Sequence, residues 1–561
     1  MRRIGLTQKE TNREVGRRGS AAVWVCVAIV LVLTVLAVAA PLGYALGAVI
    51  EYAASGAKEE VQAGAGAGGA GGAGGRWGQA ARSIGSAAGI AVLATMLAFG
   101  PALVVALGRA GRGGSMWARV VAAAALGSIA LPTHLSYAGW NVLRRPLTPL
   151  GDWIARRPPG FIRGVDESLA IGGLALWAWP LALLALVPAL ARLDRDHDDA
   201  LRLSGAGALR RGWEMLVAAR GGIAGALALV TLVMLGSAVP LHLAQVDTLA
   251  IGVWADLGTM PAEAVWPRAW PALGAAVLGA VVVVRGAAAL GNDPRGAAER
   301  PEAGRTAKVI ALVVIALAVV APLALFAWGL KSFLTLRTFW LDSGGLVGTA
   351  LVRSGVVASA ALLLLMAMWF LTSVKEGARR RGWRRRVLGA VLYGALAAFA
   401  AAALIPGVLI GSAYRLTSDR APLPFAELFD RDSGLVLAYV ARFGVIACVL
   451  GIVLARAEPA EMAQARRLAA GDGARGWWRA WAHPRFAVAV GGAIATGALA
   501  LQEIEATVIL APPGPPALAA RLLEHLHYNA EELMMASGLS VGMVSLVLAA
   551  VVGVLMRRVV D

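Results

Sequence analysis

Glu503 and Glu505 are two carboxylates late in an otherwise apolar run, Phe486 to Leu510. A carboxylate inside lipid costs about 2.5–3.5 kcal/mol unless it faces a polar cavity. The pair therefore reads either as hydrated at the membrane edge or as lining a translocation path, and both readings stay open. His525 and His527 flank Leu526, so on a helix they point to different faces and make no chelate without other ligands. His483, before Pro484, reads as a loop or cap residue. Cys26 and Cys448 lie in separate apolar runs and offer neither a disulfide nor a metal-ligand spacing. No phosphate-binding GxxxxGK[ST], no HExxH and no Ser/His/Asp arrangement occurs, so no catalytic residue, metal or cofactor is expected. Without such a phosphate-binding loop, the chain is not expected to bind ATP by that route.

A second pattern is a basic segment, Glu461 to Pro484 (EMAQARRLAAGDGARGWWRAWAHP), with a weaker copy at Asp198 to Arg220 (DDALRLSGAGALRRGWEMLVAAR). Gly205-Ala206-Gly207-Ala208 aligns with Gly471-Asp472-Gly473-Ala474, and Arg211-Gly212-Trp213 with Arg475-Gly476-Trp477. Each copy is too polar to enter lipid. Small residues permit close approach, and a glycine turns the backbone at φ > 0. These features suit a docking loop. Trp477, Trp478 and Trp481 suit a helix at headgroup level; an ordinary basic loop anchored by tryptophans is the plainer alternative.

The elements holding these residues follow from composition. With 58% apolar and 15% charged side chains in repeated runs near 20 residues, the chain is predicted to be all-α and polytopic, because lipid offers backbone groups no partner outside a helix. The runs are Ala21 to Ile50, Ile84 to Leu107, Trp117 to Leu143, Leu169 to Leu190, Gly221 to Leu243 and Trp270 to Val284. Six more are Val309 to Leu330, Thr349 to Val374, Val387 to Ala413, Leu435 to Ala455, Phe486 to Leu510 and Glu532 to Met556. Twelve spans are expected, six in each half.

The net charge of +18 sits in short clusters between runs, the positive-inside pattern, and argues for a lipid bilayer and against nucleic acid. Placing both termini inside puts most of the 52 Lys and Arg inside, including Lys375 to Arg386 (KEGARRRGWRRR). Arg144, Arg145, Arg156, Arg157 and Arg163 then fall outside, against the trend. The first run is too long for a signal-peptide core, and Gly64 to Gly75 reads as an external linker.

The organisation expected is a basic tail at residues 1–20, a first half at 21–290, a linker at 291–308 and a second half at 309–561. Arg82-Ser83 and Arg353-Ser354 are offset by 271, the glycine turns by 266, and Thr248-Leu249-Ala250 and Ala517-Leu518-Ala519 by 269. Near-constant spacing points to a tandem duplication, with parallel repeats about an axis along the membrane normal.

The Glu461 segment, followed by Glu505 to Gly514 (EATVILAPPG) and Leu518 to Tyr528, resembles the second half of bacterial ABC-transporter permeases of the fused iron(III) type. The resemblance implies about twelve helices, a bacterial inner-membrane location, a separate ATPase dimer and an extracytoplasmic solute-binding protein. It also implies one cytoplasmic Glu-Ala-Ala loop per half, with a glycine and a later proline, docking on the ATPase. Asp199, Ala200 and Gly205 occupy the first loop's motif positions, without the proline. In the second, Gly471 and Pro484 fit while Ala465-Arg466-Arg467 replaces Glu-Ala-Ala; a one-residue shift puts Gln464-Ala465 there and loses the glycine. Iron(III) leads the implied substrates, with thiamine, phosphonates and polyamines in related branches. An ion-coupled secondary transporter, or a permease-derived structural or regulatory protein no longer tied to an ATPase, are the alternatives.

Overall fold

A computed structural model describes residues 21–54, 73–107, 116–145, 148–190, 203–237, 239–243, 246, 248–289, 304–377, 382–458, 463–466, 474–511, 517–527 and 531–560. Among these the protein is all helix and turn, with no strand. Nine described helices are long and apolar enough to cross a membrane, or ten if one bent pair counts as a single span. The chain is a polytopic helical membrane protein. Asp199, Ala200, Gly471 and most of the Gly64 to Gly75 linker lie outside the described residues.

The twelve apolar runs are largely helical, but four are broken, among them Gly221 to Leu243, whose long helix ends at Leu235 and is followed by a short one from Val239. The run at Trp117 to Leu143 splits into α3 (Met116–Ala130) and α4 (Thr133–Asn141), and the break bends the path by 89°. The run at Val387 to Ala413 splits into α12 (Trp383–Leu404) and α13 (Gly407–Arg420). A proline, Pro132 or Pro406, sits at each of these two breaks, where it withholds an N–H and clashes with the preceding turn. The run at Phe486 to Leu510 splits into α15 (His483–Ala500) and α16 (Glu505–Leu510), so Glu503 and Glu505 stand at an unwound segment rather than late in a continuous helix.

The remaining elements are α1 (Ala21–Ala54) and α10 (Arg305–Gly329), α2 (Ala73–Leu107), α5 (Pro159–Leu190), α6 (Ala208–Leu235), α7 (Val239–Leu243), α8 (Leu249–Thr259), α9 (Trp270–Ala289), α11 (Phe333–Gly377), α14 (Arg431–Arg456), α17 (Leu518–His527) and α18 (Glu531–Val560). In the first half α2 packs on α5 and α6; in the second, α11 packs on α14 and α15. Across the halves, α3 packs on α18 and α12 on α9.

α1 packs largely with residues from the C-terminal part of the chain, and α10 with residues from the N-terminal part. Val27, Val30 and Ala37 of α1 share one apolar cluster with Leu364, Trp369 and Tyr414, whereas Ala307, Val314 and Ala318 of α10 share another with Ala91, Leu174 and Trp179. Both helices carry a π turn, Val35–Ala39 and Ala316–Val320, each followed by Ala-Pro-Leu. The prolines, Pro41 and Pro322, cannot donate to the carbonyls of Ala37 and Ala318 four residues back, and the helix widens there instead. The Ala37 carbonyl is taken up by the Tyr414 hydroxyl at 2.6 Å, from the opposite half.

Two ion networks tie the halves at opposite ends. At one, Arg456 donates to the carbonyls of Ala287 and Ala288 and to the Tyr393 hydroxyl, with Glu376 3.9 Å away. At the other, Arg420 bridges Glu51 and Glu263, the latter at 2.7 Å. Two of the arginines that dissent from the charge rule find local partners: Arg144 pairs with Asp166 at 2.7 Å and Arg157 lies over the Trp153 ring.

Candidate functional site

The two proline breaks leave carbonyls without helical partners, and side chains of the neighbouring long helices reach them. Trp177 Nε1 of α5 donates to Leu131 O at 2.8 Å. In the other half, Arg442 Nη1 of α14 donates to Ile405 O at 3.3 Å. Gln502 joins the two sides: its Nε2, from the unwound segment after α15, donates to Ile129 O beside the first break at 2.8 Å. Irregular backbone at membrane depth persists where protein covers it or a cavity meets it.

Glu503 and Glu505 are both 6% exposed. Arg442 Nε lies 3.0 Å from Glu503 Oε2, and its Nη1 lies 3.8 Å from Glu505 Oε2. The remaining acceptors are met by backbone. Glu505 Oε2 accepts from Gly407 N at 2.8 Å, the first amide of α13, and Glu503 Oε1 accepts from Ala506 N at 3.1 Å. A carboxylate at a helix N-terminus is stabilised by the unpaired N–H groups and the helix dipole there. The Thr507 hydroxyl donates to Glu503 O and meets Tyr439 Oη at 2.6 Å. Gly407 makes room for this packing: a Cβ there would come within 2.7 Å of the Glu505 Cβ and would push on the Arg442 and Glu503 side-chain ends. Two carboxylates and one guanidinium thus lock α13, α14 and α16 together.

Arg442 was findable. It lies in an apolar run, where a cation carries the same penalty that singles out the glutamates. Gln502 and Trp177 had no such signal, because neither is charged and each acts on a backbone carbonyl.

In the first loop, Gly205 adopts φ +72°, the left-handed turn expected of it. The second-loop residues Gln464 and Ala465 are helical and exposed, and Pro484 opens the first turn of α15. Arg466 forks onto Glu458 at 2.8 and 3.2 Å, both buried. Trp477 departs from the headgroup expectation. It is buried in protein, stacked edge-on against Trp369 and Phe370, and donates to Ser373 Oγ at 3.3 Å. Its counterpart Trp213 is 65% exposed. His525 is buried on α17, and among the described residues no group of three metal-ligating side chains forms.

Compared with known protein families, curated proteins and solved structures, the chain matches none.

Proposed function

We propose that the chain is the permease of a bacterial ABC importer, with two tandem six-helix halves enclosing a path and coupling to a separate ATPase dimer. The observation that supports this reading most is the recurrence of the halves, down to the π turns, the proline breaks and the exchange of α1 and α10. Two parallel units about one axis are suited to alternating access by rocking against each other around a central site. The Arg456 and Arg420 networks, at opposite ends of the halves, are placed to open in turn as the halves rock. The end bearing Lys375, Arg384, Arg385 and Arg456 is the cytoplasmic one in this reading, and the loops at Gly205 and Gln464 face the ATPase. An extracytoplasmic binding protein delivers substrate at the other end, with iron(III) the leading class by resemblance.

Cysteines placed at Ala206 and at Asp472 in the full chain test this in native membranes. With a bifunctional maleimide, each is expected to trap an ATPase subunit identifiable by mass spectrometry. If neither does so where a known importer does, the coupled reading fails and a permease-derived structural protein replaces it.

A further inference from the structure

The two proline breaks each start a half-helix, and the halves treat that N-terminus differently. In the second, the first amide of α13 is capped by the chain's own Glu505, the first residue of α16. In the first, α7 stands to α4 and α5 as α16 stands to α13 and α14. The first residue of α7 is Val239, buried and apolar. Among the described residues no side chain caps the start of α4.

The nine-residue helix α4 begins after Pro132, which has no side chain to cap it. Among the described residues no side chain accepts from the N–H groups of Thr133, His134 or Leu135. These amides carry the positive end of the helix dipole and remain short of acceptors. His134 stands in the same first turn. It is 1% exposed, and its Nε2 has no hydrogen-bond partner among the described residues. Side chains of a helix tilt toward its N-terminus, so the His134 side chain leans toward the end that carries these amides. A buried polar atom left unpaired costs about 1–3 kcal/mol, and such exceptions call for an explanation. Thr133, the counterpart of Gly407, is only partly buried, so the turn is not sealed.

We infer that the N-terminus of α4, with His134, is a binding site for an oxyanion of the carboxylate or phosphate type, in the place that Glu505 fills in the other half. The bound oxygens accept from the Thr133 to Leu135 amides and from the imidazole N–H. The site stands independently of ATPase docking. Where the permease reading also holds, it belongs to an anionic substrate or to the anionic part of a chelate.

The test uses the full chain purified in a neutral detergent, with unfolding followed by tryptophan fluorescence at constant ionic strength. Inorganic phosphate is expected to raise the wild-type midpoint by several degrees, saturably, over matched chloride. In His134→Ala that increment disappears. Val239→Glu gives the first half its own carboxylate and is expected to remove the phosphate increment while raising the midpoint in chloride. Equilibrium dialysis with labelled phosphate should show binding to wild type and its loss in either variant. Phosphatidylglycerol micelles form a second arm: a His134-dependent increment with lipid alone assigns the oxyanion to a headgroup. The inference is overturned if phosphate and lipid both leave the wild type unchanged, or if the increment persists undiminished in His134→Ala. Should His134→Ala fail to fold, undiminished phosphate binding by Val239→Glu overturns it equally.

Discussion

The two proline breaks make one comparison: the same backbone problem, a freed carbonyl at the end of a half-helix, has a neutral solution in one half and a charged one in the other. Trp177 answers Leu131 with a single N–H, and nothing else need change around it. Arg442 answers Ile405 but brings a buried cation, which Glu503 and Glu505 then compensate. A charged cap recruits further charges because an unpaired one in a dry interior is far more costly than an unpaired amide. The second half is therefore fastened by a network and the first by separate bonds. The same holds for the two loops, where Trp477 is sunk in protein and Trp213 is left exposed.

The sharpest way to break this comparison is Arg442→Leu, which strands two buried carboxylates. It is expected to cost about 3–5 kcal/mol, read as loss of monodisperse protein in fluorescence-detected size exclusion. Adding Glu503→Gln and Glu505→Gln should restore much of it. Trp177→Phe keeps most of the buried ring and leaves the Leu131 carbonyl unmet, about 1–3 kcal/mol. Equal losses in the two variants would dissolve the distinction.

Trp477→Ala removes a ring packed against Trp369 and Phe370 and should also cost about 3–5 kcal/mol, whereas Trp213→Ala should stay within about 0.5 kcal/mol. Thermal midpoints of the pair, measured in one detergent, decide it. A large loss at Trp213 would mean that the first loop is held as firmly as the second.

A smaller effect is expected at the π turns. Tyr414→Phe deprives Ala37 of its cap, about 0.6–1.5 kcal/mol. Trp140 occupies the sequence position of Tyr414 in the first half, and its Nε1 has no hydrogen-bond partner among the described residues. Trp140→Phe should therefore lose less than Tyr414→Phe, and the reverse order would place the stronger tie in the first half.

The class of fold was legible because the apolar runs leave the backbone no alternative to helix. The breaks were written in the sequence too, as Leu131-Pro132 and Ile405-Pro406, but hydropathy averages over a proline and shows one continuous run. The site was half legible. Glu503 and Glu505 stand out as carboxylates among apolar neighbours, yet their partners come from residues 407 and 442, which only packing brings near. Trp477 was misplaced because a tryptophan in a basic segment has the same local signature whether it meets headgroups or a protein interior.

The exchange of α1 and α10 also bears on time. Ala37 and Tyr414 are 377 residues apart, which at about 5–20 residues per second is about 20–75 s of synthesis. Through that interval α1 lacks most of its final partners, the earlier-made turn of helix at Ala262–Arg268 being one it already has. The two exchanged helices are the most apolar of the candidate spans and among the least buried in protein. A helix that must wait in the bilayer for its seat is built to be comfortable there, and the last contact of α1 is made by a part of the chain that did not exist when it was inserted.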